Sequence, residues 1–206
     1  MTTPIPINLA FEDALIESLL LRILATIPVQ YATRTIYNRG GYGYLKRTIN
    51  GFNKAAKGIP FLVATDLDRY ECPPALINEW LINPKHDNLL IRVAVREAEA
   101  WVLADREGFA RFLGISVARI PVDVEAQPDP KETLIQLAGV SRKKFMRDDL
   151  CPRRNSTSKI GPNYNVRLGS FISKDWDLGA ARLNSRSLDR TINRLVAFQP
   201  NWAPAV

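Results

Sequence analysis

The chain has 206 residues, of which 46% are apolar, and carries 28 Lys or Arg against 21 Asp or Glu, a net charge of +7. This apolar content supplies a full core and excludes a disordered, charge-extended chain. The charge is uneven: residues 1–113 hold 13 basic against 12 acidic side chains and residues 114–206 hold 15 against 9, a surplus that suits a polyanionic partner.

The N-terminal MTTPIPINLA has no basic leader, and Ile5 to Phe11 reads as a first strand. Leu15, Leu19, Ile23 and Ile27, with Ile16, Leu20 and Leu24, then form a helical stripe that Pro28 stops. Glu17 and Arg22 interrupt this apolar run, which is too short to span a bilayer, so a cytoplasmic protein with no membrane partner is expected. YATRTIY (31–37) is rich in strand formers, and after NRGGYGY the positions Leu45, Ile49, Phe52 and Ala56 recur at helical spacing up to Gly58. RGGYGYLKR lacks the Lys-Ser/Thr pair of a phosphate-cradling loop and reads as a flexible connection. FLVAT (61–65) is a third strand, Pro73-Pro74 opens a helix through Leu81, LLIRVAV (89–95) is a fourth strand, and a helix from about Glu97 ends at Gly114. Cys72 and Cys151 stand 79 positions apart, which fits neither a disulfide framework nor a metal knuckle.

Four βα units therefore precede residue 115. They predict an α/β fold, a Rossmann-like, mostly parallel four-stranded sheet flanked by helices, with ligand chemistry at the carboxyl ends of the strands. Acidic residues fall at those ends. Glu12 follows the first strand, Asp66 and Asp68 the third, and Glu97 and Glu99 the fourth. Carboxylates gathered on one rim repel one another, and a hard divalent cation offsets that repulsion. Oxygen ligands select Mg²⁺ or Mn²⁺, whereas zinc would call for His or Cys. If residues 95–99 are extended, Glu97 and Glu99 share a face; if they are helical, only one reaches the rim, and Glu97 is nearer the strand.

A glutamate after the first strand and a D-x-D after the third, within four βα units, resemble the Toprim superfamily of topoisomerases, primases and OLD-type nucleases. FEDALIESLLLRIL, LVATDLDRYECP, RVAVREAEAWVLADREGFARFLGI, KIGPNYN and ARLNSRSLDRTINRL resemble, over nearly the whole chain, a small bacterial Toprim-like family. That resemblance implies a Mg²⁺-dependent nuclease of DNA, RNA or tRNA, serving with an ABC-type ATPase partner in phage defence. Carried over by position, Glu12 matches the acid/base or metal-binding glutamate, and Asp66 and Asp68 match the metal pair. Glu97 or Glu99 would complete the set. Where many Toprim proteins have glycine and a further acid after the glutamate, this chain has Asp13 and Ile16, with Glu17 next to the second position.

The remainder, 115–206, is expected to be a basic, mainly helical extension on a catalytic core of residues 1–114. Asp129 caps a helix that ends at Gly139, residues 141–162 read as a basic loop, Tyr164, Leu168 and Phe171 mark another helix, and Ser187 caps a last one. Lys159 is the candidate for stabilising charge on a reacting phosphate, with Lys131 as its rival. Lys143, Lys144, Arg153 and Arg154 are the candidate nucleic-acid contacts. Two other classes fit the acids: a D-x-D sugar-nucleotide transferase, and a catalytically silent adaptor of an ATPase. The oligomeric state is left open.

Overall fold

A computed structural model describes residues 3–38 and 40–202. Arg39 of the RGGYGY segment lies outside them. The chain divides into two compact units, one of residues 1–95 with 190–206 and the other of residues 96–189.

The first unit is built on four parallel strands in the order β2-β1-β3-β4: β1 (Ile5–Phe11), β2 (Tyr31–Tyr37), β3 (Phe61–Asp66) and β4 (Leu89–Ala94). It is an α/β architecture consistent with a Rossmann-like fold, and the sheet is wholly parallel. The central strand β3 is buried along its whole length, as a strand covered on both faces must be, which explains its continuous apolar run. Alternation sends Phe61 and Val63 into a core with Leu45, Ile49 and Phe52 of α2 (Gly41–Ala55) and Leu76 and Trp80 of α3 (Pro73–Trp80). Leu62 and Ala64 therefore project from the opposite face.

Local chemistry sets the helix ends. Asp13 caps α1 (Ala14–Thr26), its carboxylate accepting from the Leu15 and Ile16 amides at 3.0 and 2.9 Å; such a cap contributes about 1 kcal/mol. Ile27, forced extended by Pro28, ends the helix at ψ 153°. Pro73 occupies the first turn of α3, where its missing N–H costs nothing. The β1–β2 register shifts between Ile7 and Leu9, and there the Asn8 side chain accepts from the Thr35 amide at 3.1 Å in place of a ladder partner.

The second unit is helical: α4 (Ala98–Ala104), α5 (Arg106–Leu113), α6 (Pro130–Gly139), α7 (Lys144–Leu150), α8 (Tyr164–Lys174) and α9 (Leu178–Asn184). The single helix expected over 97–114 is two, broken at Asp105. This buried carboxylate accepts from the Gly108 amide at 3.0 Å, capping α5, and from the Asp177 amide at 2.9 Å. The basic stretch 141–162 is not all loop, because α7 lies in its first half and buries Met146 and Leu150. Gly161 follows where the chain doubles back: a Cβ there would stand 2.2 Å from the Asp149 carbonyl oxygen. Trp101 is core, its indole N–H donating to the Ser187 hydroxyl at 2.7 Å, and the Trp176 indole donates to the Trp101 carbonyl at 3.2 Å.

The last helix, α10 (Arg186–Val196), is capped by Ser185 and not Ser187. The Ser185 hydroxyl accepts from the Leu188 amide, while the Ser187 amide and hydroxyl both donate to Glu125. Among the described residues no helix is long and apolar enough to cross a membrane.

Candidate functional site

In the first unit, the carboxyl ends of β1 and β3 meet. Glu12 leaves β1 between Phe11 and the cap Asp13, and its Oε2 accepts from the Thr65 hydroxyl at 2.7 Å and, at the long distance of 3.4 Å, from the Asp66 amide. Burial pushes the Glu12 pKa up, the two hydrogen bonds pull it down, and the charges of Asp68 and Asp13 push it up again, with a net rise. Asp66 ends β3 and is 5% exposed. Leu67 is buried and its amide donates to the Ala94 carbonyl at 2.9 Å, extending the β3–β4 ladder by one rung. Asp68 then emerges into solvent with φ 49°, a left-handed conformation that Asp tolerates better than most residues.

An open cleft of about 400 Å³ adjoins this edge, walled by Tyr42, Asp68, Arg69 and Tyr70. The two tyrosine hydroxyls are 2.7 Å apart; that of Tyr70 donates to Glu79 at 2.8 Å, and Glu79 pairs with Lys46 at 2.5 Å. Hydrogen bonding to Tyr42, then burial, pushes the Tyr70 pKa up to about 12, so the ring stays a neutral hydrogen-bonded wall. Sequence reading missed Thr65, Tyr42 and Tyr70. Thr65 and Tyr70 lie within or beside the D-x-D stretch, and Tyr42 lies in the glycine-rich segment, so proximity in sequence was the available signal.

The acids after β4 belong to the second unit and form their own cluster. Glu97 is extended (φ −137°, ψ 160°) at the N-terminus of α4, and Glu99 lies in its first turn. The Glu97 carboxylate accepts from the Lys131 amide at 2.9 Å, and the Lys131 ammonium stands 3.8 Å from Glu97 and 3.5 Å from Glu99. Glu99 is 1% exposed and accepts from the Tyr164 hydroxyl at 2.9 Å. Burial pushes its pKa up to about 7; Lys131 opposes this and Glu97 reinforces it. Lys131 holds the place beside the glutamates, and Lys159 is exposed in the turn after Ser158.

The four candidate phosphate contacts fare unequally. The Lys143 ammonium donates to the Arg111 and Phe112 carbonyls at the end of α5, and Lys144 pairs with Asp148 at 2.5 Å. Arg153 and Arg154 are exposed and line a cleft of about 550 Å³ with Lys144 and Arg147.

Among the described residues no group of three or more His, Cys, Asp or Glu is arranged to hold a metal ion. Glu12 and Asp68 are nonetheless two oxygen donors, from separate strand ends, whose charges act on each other. That donor set fits Mg²⁺, which takes one or two carboxylates and keeps waters and substrate phosphate for its other positions. Comparison with family models, with curated proteins and with solved structures found no match for the chain.

Proposed function

We propose that the chain is a Toprim-like, divalent-metal-dependent phosphodiesterase acting on nucleic acid. The observation that carries this reading is the pair of hydrogen bonds from the Thr65 hydroxyl and the Asp66 amide to Glu12, which join the acid after β1 to the D-x-D at the end of β3, beside a cleft lined by Asp68, Arg69 and two tyrosine rings. Glu12 and Asp68 would hold the cation. When bound, a hard cation there supplies Lewis-acid polarisation of a phosphate oxygen and a lowered pKa for water. The chain's own groups do the positioning. The Thr65 hydroxyl fixes one oxygen of Glu12 and leaves the other for the site. Arg69 places a cation on the cleft wall where phosphate charge would sit, and Tyr42 and Tyr70 offer faces on which bases stack without sequence preference. Control by an ATPase partner, and a role in phage defence, rest on the sequence resemblance.

The test is calorimetric titration with Mn²⁺ alongside cleavage assays on DNA, RNA and tRNA. Wild type should bind Mn²⁺ and cleave at least one substrate, with or without a neighbouring ATPase. Glu12→Gln and Asp68→Asn should each lose the ion with no fall in melting temperature, because each substitution removes a like-charge repulsion. Unchanged Mn²⁺ affinity in both variants would sink the reading.

A further inference from the structure

In the second unit, the basic stretch between α6 and α8 folds around the cleft of about 550 Å³. One wall is a face of α7, on which Lys144, Arg147 and Asp148 recur at helical spacing. The next is a turn, in which the Ser156 amide donates to the Arg153 carbonyl at 2.9 Å and Asn155 takes a left-handed φ of 67°. Its first two residues, Arg153 and Arg154, line the cleft, and the returning chain at Pro162 and Asn163 completes it. Two backbone bonds tie that return to the end of α7: the Gly161 amide donates to the Leu150 carbonyl at 3.0 Å, and the Asn163 amide to the Asp149 carbonyl at 3.1 Å.

The charges lining this cleft do not balance. Both of its acids are matched, Asp148 by Lys144 at 2.5 Å, and Asp149 by Arg167 at 2.5 Å and the Asn163 side-chain amide at 2.7 Å. Arg147 donates to the Ser141 carbonyl, a neutral acceptor. Arg153 and Arg154 are exposed, and among the described residues none of these three arginines is in an ion pair. Three guanidinium groups therefore line one cleft with no carboxylate left to neutralise them. A guanidinium fork meets phosphate oxygens two at a time. A phosphodiester within a strand brings one negative charge, whereas a phosphate monoester brings about −1.5 to −2 and three acceptor oxygens. The monoester answers more of the unmatched charge and can accept from more than one fork.

We propose that Arg147, Arg153 and Arg154 bind a phosphate monoester, as carried by a nucleotide or by the 5′ end of a nucleic-acid strand. Of the four contacts expected from sequence, both lysines are engaged elsewhere, Lys143 on the end of α5 and Lys144 on Asp148, and Arg147 joins the two arginines. The site does not depend on the metal-dependent reading, since a chain without phosphodiesterase activity would still bind the group.

Full-length protein is tested at constant ionic strength in Ca²⁺ with two pairs of probes. One is a 3′-labelled single-stranded oligonucleotide with a 5′-phosphate or a 5′-hydroxyl, followed by anisotropy; the other is AMP or adenosine, followed by calorimetry. Wild type should prefer the phosphorylated member of at least one pair by about tenfold. A preference confined to the oligonucleotides assigns the strand end, and one that includes AMP over adenosine assigns the nucleotide. Arg153→Gln/Arg154→Gln should abolish the preference without lowering the melting temperature, because neither arginine has an ionic partner to lose. Glu12→Gln should keep the preference, which separates this site from the acidic one. Equal binding within both pairs, a preference that survives the double change, or one lost in Glu12→Gln would overturn the proposal.

Discussion

Glu99 makes stability depend on pH in a direction opposite to that of most carboxylates. Its folded pKa of about 7 against 4.5 for the ordinary group means that between those values the native chain holds a proton the unfolded chain has released. Unfolding then releases a proton, so stability falls as pH rises through this window. The full shift corresponds to about 3 kcal/mol, present as an unfavourable contribution above roughly pH 8 and absent below roughly pH 4. Glu99→Gln keeps an acceptor for the Tyr164 hydroxyl and removes the charge that burial penalises. The variant should match wild type near pH 4 and exceed it by about 2 to 3 kcal/mol at pH 8, a gap of roughly 5 to 10 °C in melting temperature for a chain of this size. Urea unfolding followed by tryptophan fluorescence suits the measurement, because Trp101 and Trp176 are both buried in the same unit. The difference between variant and wild type cancels the other titrating groups. A Glu99→Gln protein less stable than wild type at pH 8 would refute the reasoning and show that attraction to Lys131 outweighs burial.

Asp105→Ala removes the acceptor for two backbone amides at the α4–α5 break and should cost about 2 to 3 kcal/mol in urea unfolding; a cost under about 0.5 kcal/mol would show that the break holds without it. For the basic stretch, oligonucleotide anisotropy in Ca²⁺ across a salt series should show Arg153→Ala/Arg154→Ala flattening the log–log slope by about 1.4 to 1.8. Lys143→Ala should leave the slope unchanged and lower stability, since its ammonium caps the end of α5. A slope untouched by the double change would remove the arginines from any phosphate track.

Strand β3 was legible because burial on both faces leaves little room for ambiguity. Phe61 to Ala64 had to be a central strand, and Ile5–Phe11 and Tyr31–Tyr37 are found where apolar and β-branched runs put them. Strand order was not legible, since it depends on which helix covers which face. The α4–α5 break hid because Ala98 to Leu113 is helical by composition throughout. Only the tertiary bond from Asp105 to the Asp177 amide, 72 positions away, gives that aspartate a reason to interrupt it. Likewise α7 and α9 bury only two residues each, too faint a period to read. Glu12 and the D-x-D pair were visible as acids after strands. The partners that define their chemistry, Thr65 for Glu12 and Lys131 and Tyr164 for Glu99, are side chains that periodicity assigns merely to strand, cap or core.

Because the first unit is completed by residues 190–206, it cannot finish packing when its last strand has been synthesised. When β4 emerges from the ribosome, the unit still awaits a segment about a hundred residues downstream. At roughly 5 to 20 residues per second that wait lasts on the order of 5 to 20 seconds. Closure then falls to contacts such as the Tyr31 hydroxyl on the Leu195 carbonyl at 2.7 Å, and the Asn88 and Asn201 amides bonded both ways. The last segment made is thus the latch of the first unit begun, and chains that stall before residue 190 should be the ones that chaperones hold and proteases clear.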